Sequence, residues 1–298
     1  MFNNEKLVEV NIDKEKCVKC GACIDICHTY LKFGEDGFPC AREKEEQENL
    51  FGCIQCGNCM MMCPKEAIEI VGEDIDKDHL REIGAVADYD ALNNLYLKRR
   101  SCRKFKPDEV SKEDLDRIIK SAATAAVSIP PSEVKVLIVQ GKDKVQTLAQ
   151  EILEGFARFV KMKPLFLFIT WILGKKTEHK MFKDFVFPLG ESMIEYRKKG
   201  VDILFYDAPA VMLFYGTENT DKEDMHIAAT QATIAAEALG LGTCIIGSLS
   251  AVFEKNCKLR KKYGVEKTDK IGMGFIVGHP EIKFPKGFQR NFKEVRYY

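Results

Sequence analysis

Between Cys53 and Pro64 four cysteines and a proline follow the spacing C-x2-C-x2-C-x3-C-P. Three thiolates so close together on a tight loop can take three corners of a cubane iron–sulfur cluster. The fourth points away, toward another cluster, so a second run is required. The chain has one, Cys17, Cys20, Cys23 and Cys27, and each of its cysteines precedes its counterpart by 36 residues. The unit is therefore an internal repeat, with one cluster loop per half. Two zinc sites are the alternative, but zinc prefers two separated cysteine pairs. Two four-cysteine runs in register favour two 4Fe-4S clusters. The second run departs from the first at its exit, where His28 stands in place of proline.

From about Lys6 to Val71 the chain resembles a bacterial two-cluster ferredoxin. In that family the fourth cysteine of each run ligates the other run's cluster. The resemblance thus assigns Cys17, Cys20, Cys23 and Cys63 to one cluster, and Cys53, Cys56, Cys59 and Cys27 to the other. Cys40 lies outside both runs and reads as a small buried residue. Val8 to Ile12 and Ala67 to Val71 are expected as matching strands. Gly34, Gly37 and Pro39 mark a turn between the halves.

The chain has 298 residues, so more than 200 remain for a second domain with a core of its own. Forty-five acidic and 45 basic residues balance to a net charge of +0, and nothing calls for nucleic acid. Twelve cysteines would suggest disulfides in a small secreted chain. Eight of them sit in the two runs, whose ligands are reduced thiolates, which implies a reducing compartment and a cytoplasmic protein. Met1 to Val10 carries Glu5, Lys6 and Glu9 and offers no apolar signal core. Pro164 to Gly174 is apolar but too short to span a bilayer. The acidic stretch Gly72 to Asp88 reads as a solvated linker or a docking segment. It separates a cluster domain at 1–88 from a second domain at 89–298.

The second domain opens with a helix carrying Leu92, Leu95 and Tyr96 on one face. Arg99, Arg100, Ser101 and Arg103 follow; such a run is either a solvated basic face or an anion site built from forked guanidinium groups. Ser111 caps a helix whose apolar stripe is Leu115, Ile118, Ile119, Ala122 and Ala126. Ser128, Ile129, Pro130, Pro131 and Ser132 break it before a buried strand, Val134 to Val139. Lys142 to Lys161 has helical spacing. Pro164 to Leu173 holds the only tryptophan, Trp171, and reads as core or subunit contact; a lid is the sharper alternative, and the flanking lysines also permit membrane contact. Gly190 to Lys199 forms another helix. Asp207 to Tyr215 turns into a buried strand, and Asp224 to Leu239 is a helix rich in alanine. Gly240-Leu241-Gly242-Thr243-Cys244-Ile245-Ile246-Gly247 follows a helix rather than a strand, so it is not a dinucleotide fingerprint. Ile271 to Val277 is the last strand. Cys102, Cys244 and Cys257 read as packing residues, and the five histidines show no metal-like spacing.

From about Tyr89 to Tyr298 this succession resembles the FMN-dependent nitroreductase family, in the branch fused to a ferredoxin. Arg99, Arg100, Ser101 and Arg103 match its R-[RH]-S-x-[RK]-x-F segment, and Gly240 to Gly247 matches its G-L-G-[TS]-C-x-[IG]-G. The resemblance implies an α+β class: a nitroreductase-like FMN-binding fold, with a central mixed sheet and helices, behind the two-cluster domain. It implies FMN held by Arg99, Arg100, Ser101, Arg103, Ser128, Pro130, Pro131, Ser132, Ile246, Gly247 and Arg290. The Asn and Gln that the family carries near the flavin are missing from the Ser128–Glu133 stretch. A homodimer with FMN at its interface is also implied, and no side-chain nucleophile is required. The expected activity is electron transfer between the clusters and FMN to reduce an organic acceptor, nitroaromatic or quinone, from a one-electron donor such as ferredoxin. The alternatives are an NAD(P)H-driven flavin reductase exporting electrons through the clusters, and an electron carrier or interaction protein with a degenerate flavin fold.

Overall fold

The computed structural model describes residues 8–43, 46, 52–72, 75–128 and 132–298. Pro130 and Pro131 lie outside the described residues. The chain divides into two compact units. One runs to Val86 and includes the Val127–Ser132 segment; the other comprises Ala87–Ala126 and Glu133–Tyr298.

The first unit is built on β1 (Glu9–Ile12), α1 (Ala22–Ile26), β2 (Leu31–Phe33), β3 (Pro39–Ala41), α2 (Asn58–Met61) and β4 (Ile68–Val71). β1 and β4 pair antiparallel, with Glu9 opposite Val71 and Ile12 opposite Ile68. β2 and β3 form a hairpin whose turn is closed by the Gly34 N–H donating to the Phe38 carbonyl at 2.8 Å. The repeat is visible in the backbone. Gly21 and Gly57 precede α1 and α2 at φ 81° and 74°, and Lys19 and Gln55 are left-handed at 56° and 57°. Glycine carries no Cβ penalty in that region, so each cysteine loop can turn directly into its short helix. Leu31, Met60, Ile68 and Ile70 make the core. Arg81 to Asp88 is exposed and forms no helix or strand.

The second unit begins with α3 (Tyr89–Lys98), capped by Asp88, whose carboxylate accepts the Ala91 N–H at 2.8 Å. α3 buries no residue: Leu92 and Tyr96, expected on an inward face, are exposed. α4 (Lys112–Ala122) is capped by Ser111, whose hydroxyl accepts the Asp114 N–H. It buries Leu115, Ile118 and Ala122 but ends there, leaving Ala126 outside the helix and exposed. Then come β5 (Val134–Gln140), α5 (Lys142–Lys161), α6 (Lys163–Ile172), α7 (Lys176–Met181), a π-turn at Phe182–Val186, α8 (Phe187–Lys198), β6 (Ala210–Gly216), α9 (Lys222–Ala238), β7 (Gly242–Ile245), α10 (Gly247–Lys255), α11 (Cys257–Lys262) and β8 (Lys270–Gly278).

The sheet order is β5-β6-β8-β7, and all three pairings are antiparallel. The parallel component among the described residues is a single bridge between Ser101 and Thr243. Helices cover both faces. Val211, Leu213 and Ile276 pack with Leu148, Ile152 and Phe253 on one side. Met212, Phe214, Phe275 and Val277 pack with Ile118, Ala229 and Ala232 on the other. Strands covered on both faces read as continuous apolar runs, which is the pattern of β6 and β8. β5 is an edge strand, and of its residues only Val139 is buried, so the expected buried strand is half-solvated. Pro164 to Leu173 corrects the expectation of core: it is α6, and six of its large apolar side chains are exposed. Cys257 is exposed rather than packed.

Candidate cofactor sites

In the first unit one cavity is lined by Cys17, Cys20, Cys23 and Cys63, with Ile12, Pro39, Ala67 and Ile68 supplying apolar walls. Three of these cysteines come from the first run and one from the second. Electrostatics groups the thiols the same way. Burial pushes the Cys23 thiol up, and Cys63 and Cys17 add to it. Burial likewise raises Cys53, with Cys27 and Cys56 as charged neighbours. It pushes Cys59 up to about 12, with Cys27, Cys53 and Cys56 adding to it. Cys27 is raised by burial and by Cys56. Raised in this way, the thiols hold their protons in the absence of metal, and iron binding would displace those protons and compensate the thiolate charge.

Backbone N–H groups already point at cysteine sulfur: Gln55 donates to Cys53 Sγ at 3.4 Å and Ala67 to Cys63 Sγ at 3.2 Å. Hydrogen bonds of this kind favour thiolate and tune a cluster's potential. Among the described residues no three His, Cys, Asp or Glu side chains converge on a single-ion site. Thiolates that each take a separate corner of a cube need not converge on one atom. The donor set and its surroundings fit cubane clusters.

In the second unit the Arg-rich segment and the glycine loop lie side by side. The Cys102 N–H donates to the Thr243 carbonyl at 2.8 Å, next to the Ser101–Thr243 bridge. Gly242 permits this approach: a Cβ there would sit 2.7 Å from Cys102 Cβ. Side chains of an extended chain alternate in direction. Cys102 is buried, and with Arg100 it lines a pocket of about 290 Å³ that also includes Lys98, Glu237 and Phe284. Arg99, Ser101 and Arg103 belong to the other side of the alternation. None of Arg99, Arg100 and Arg103 forms an ion pair among the described residues, and Arg100 shares its pocket with Glu237, so Arg99 and Arg103 are the two guanidinium groups on their side without a countercharge. That is the arrangement a phosphate would neutralise.

Ile246 is buried, and its N–H donates to the Gly274 carbonyl at 2.9 Å. Gly247 opens α10, and a Cβ built on it would meet no atom within 4 Å. The glycine at 247 therefore answers no packing need of this chain, and the space beside it can accept a flat ligand. Ser128 and Ser132 are exposed, and they group with the first unit. Arg290 is exposed in the C-terminal segment, outside any helix or strand.

Sequence reasoning missed Tyr206. The Arg103 guanidinium stands 5.9 Å from its ring centroid. Tyr206 and Asp207 have positive φ, and buried Asp202 holds their loop by accepting the N–H groups of Leu204, Phe205 and Asp207. An Asx-type turn at Asp202 was the one local signal available.

Comparison with known proteins agrees with this architecture. The model of the nitroreductase family matches residues 96–279, and that of the 4Fe-4S dicluster domain matches residues 13–67. The chain belongs to the nitroreductase family of flavin oxidoreductases and carries a 4Fe-4S dicluster domain ahead of the nitroreductase domain. It is similar to an FMN reductase [NAD(P)H] of Bacillus subtilis (strain 168), 27% identical over 190 residues. That match covers 63% of this chain and 65% of the relative's length. Among solved structures it is similar in fold to a nitroreductase with bound FMN from Desulfitobacterium hafniense DCB-2 (TM-score 0.51, 20% identity, 70% of this chain and 97% of that one). A nitroreductase with bound FMN from Bacteroides fragilis NCTC 9343 is likewise similar (TM-score 0.51, 17% identity, 70% and 98%).

Proposed function

We propose that residues 1–88 act as an electron-carrying module with two 4Fe-4S clusters, and that residues 89–298 bind FMN and reduce an organic acceptor of nitroaromatic or quinone type. A cluster carries one electron at a time, whereas FMN accepts one or two, so the pair joins a one-electron donor to two-electron chemistry. The observation that carries the reading is the Cys102–Thr243 hydrogen bond, which sets Arg99, Ser101 and Arg103 beside the loop that ends at Gly247. On this reading Arg99 and Arg103 bind the phosphate dianion, the Ser101 hydroxyl donates to it, and Tyr206 orients Arg103. Ile246 and Gly247 offer backbone and an open face to the ring. Cys17, Cys20, Cys23 and Cys63 hold one cluster, and Cys53, Cys56, Cys59 and Cys27 the other.

Two copies of the chain complete the site on this reading. Supporting it, α3 buries none of its residues, and Phe288, Phe292 and Tyr297 are exposed near the C-terminus. The reduced thiolates that eight cluster ligands need support a cytoplasmic setting. No helix among the described residues is long and apolar enough to cross a membrane. A second reading is favoured by the name of the Bacillus subtilis relative: NAD(P)H reduces the flavin and electrons leave through the clusters. Mixing the purified protein in a stopped-flow with NADH, NADPH or a reduced ferredoxin separates the two. Fast flavin bleaching by ferredoxin alone supports the first reading, and fast bleaching by a nicotinamide supports the second. A preparation that binds no FMN would refute both and leave an electron-carrier or interaction protein.

A further inference from the structure

α6 is left unused by either cofactor site. Leu165, Phe168, Ile169 and Ile172, at helical positions i, i+3, i+4 and i+7, are 56%, 57%, 45% and 59% exposed. Trp171 extends this stripe at 68% exposure. The helix cannot roll to bury it, because its opposite face is already fixed. The Phe166 ring packs at 5.5, 4.5 and 5.9 Å from those of Phe159, Phe182 and Phe187. Buried Thr170 donates to the Phe166 carbonyl and lies 3.0 Å from His179 Nδ1.

Lysines flank the stripe along the chain. From Lys161 to Lys183 the chain has six lysines and one glutamate, whereas the whole chain is balanced. Lys161, Lys176, Lys180 and Lys183 are exposed, and none is in an ion pair among the described residues. Tryptophan, phenylalanine and leucine on one face with free lysines around them is the composition of a helix that lies in the plane of a membrane surface. Tryptophan is favoured at headgroup depth, and lysines extend from an apolar face to reach anionic headgroups. A second copy is the poorer occupant. A two-fold contact through this face would bring its uncompensated lysines against the same lysines of the partner.

We propose that the stripe on α6, with the lysines around it, docks the protein on an anionic phospholipid surface without spanning it. The inference is independent of the flavin reading, since it uses none of the residues assigned to FMN or the clusters.

The test is flotation of the full-length cofactor-loaded protein with vesicles of phosphatidylcholine containing phosphatidylglycerol, and with vesicles of phosphatidylcholine alone. Trp171 is the only tryptophan, so its emission reports on the stripe directly. The expected result is flotation and a blue-shifted emission with the anionic vesicles, both weakened by added salt and absent with phosphatidylcholine alone. Phe168→Gln with Ile172→Gln should reduce partitioning about tenfold or more. Changing Lys161, Lys176, Lys180 and Lys183 to Gln should cost roughly fivefold per lysine. That variant leaves the apolar stripe and the core intact. Iron and flavin content establish that each variant is folded. No flotation and no spectral shift with anionic vesicles overturns the proposal. So does a loss of self-association in the Phe168, Ile172 variant when the parent protein fails to bind vesicles, which would make the face a contact between copies.

Discussion

The backbone N–H of Cys102 donates to the carbonyl of Thr243 at 2.8 Å, binding the start of the second unit to the strand that precedes α10. A Cβ at Gly242 would strike Cys102, so the two segments are held at a separation that only glycine allows. The cofactor predictions follow from this contact.

Arg99→Ala should weaken FMN binding by about 1.5–3 kcal/mol, the range for a hydrogen bond to a charged group. Arg103→Ala should do likewise. Fluorescence titration of the apoprotein measures both. Unchanged affinity in the two variants would move the phosphate site elsewhere.

Gly247→Val separates cofactor binding from folding, because the new side chain meets no protein atom within 4 Å of its Cβ. The variant should fold and keep its iron while losing FMN. Full flavin absorbance in purified Gly247→Val would contradict a ring stacked against this loop.

The cavity shared by Cys17, Cys20, Cys23 and Cys63 makes the effect of one substitution specific. Cys63→Ala should remove the cluster held mainly by the first run and spare the other, read as a partial loss of iron and of one low-potential signal. The Cys27→Ala, Cys63→Ala double variant should keep FMN but lose turnover driven by reduced ferredoxin. Undiminished ferredoxin-driven turnover after the iron is lost would show that electrons reach the flavin without the clusters.

Asp202→Ala leaves the N–H groups of Leu204, Phe205 and Asp207 without their acceptor in a buried loop. A loss of about 3 kcal/mol of unfolding free energy is expected, together with weaker FMN binding through Tyr206 and Arg103. Denaturant unfolding and flavin titration measure the two effects. Intact stability would mean that the loop is held by its other contacts.

Tyr263 is pushed from 10.0 up to about 12, first by burial and then by Glu151, which accepts its hydroxyl at 3.2 Å. A raised phenol favours the protonated native state. Its contribution is therefore complete below pH 10, and it is lost as pH rises through about 12. Tyr263→Phe should flatten this part of the alkaline stability profile, measured by denaturant melts across that window. A parent and variant that lose stability in parallel would rule the residue out.

The cysteine runs were legible because their chemistry is local. Ligands two residues apart on one loop carry their spacing in the sequence, and the repeat of Gly21 and Gly57 carries the turn as well. The apolar periods of α4, α5 and α9 and the continuous runs of β6 and β8 were legible for a related reason, since each is set by the face or faces it buries. Boundaries were less so: α4 stops at Ala122, and Ala126, expected at the end of its apolar stripe, lies outside the helix and exposed.

Other features depended on residues far away in the chain. Nothing local distinguishes Arg100 from Arg99 and Arg103; the alternation set by the Ser101–Thr243 bridge does. Tyr206 enters beside Arg103 only because Asp202 bends its loop into positive φ. The apolar run at Pro164–Leu173 had the composition of a core segment, yet the aromatic cluster around Phe166 turned its larger face outward. The sequence by itself thus determined the cysteine spacing, the two-part organisation and the helical and strand periods, because these arise from neighbours within a few residues. Tertiary structure decided which arginines share a face, which loop meets them and which apolar surface stays uncovered, because those follow from packing between segments that chain order does not bring together.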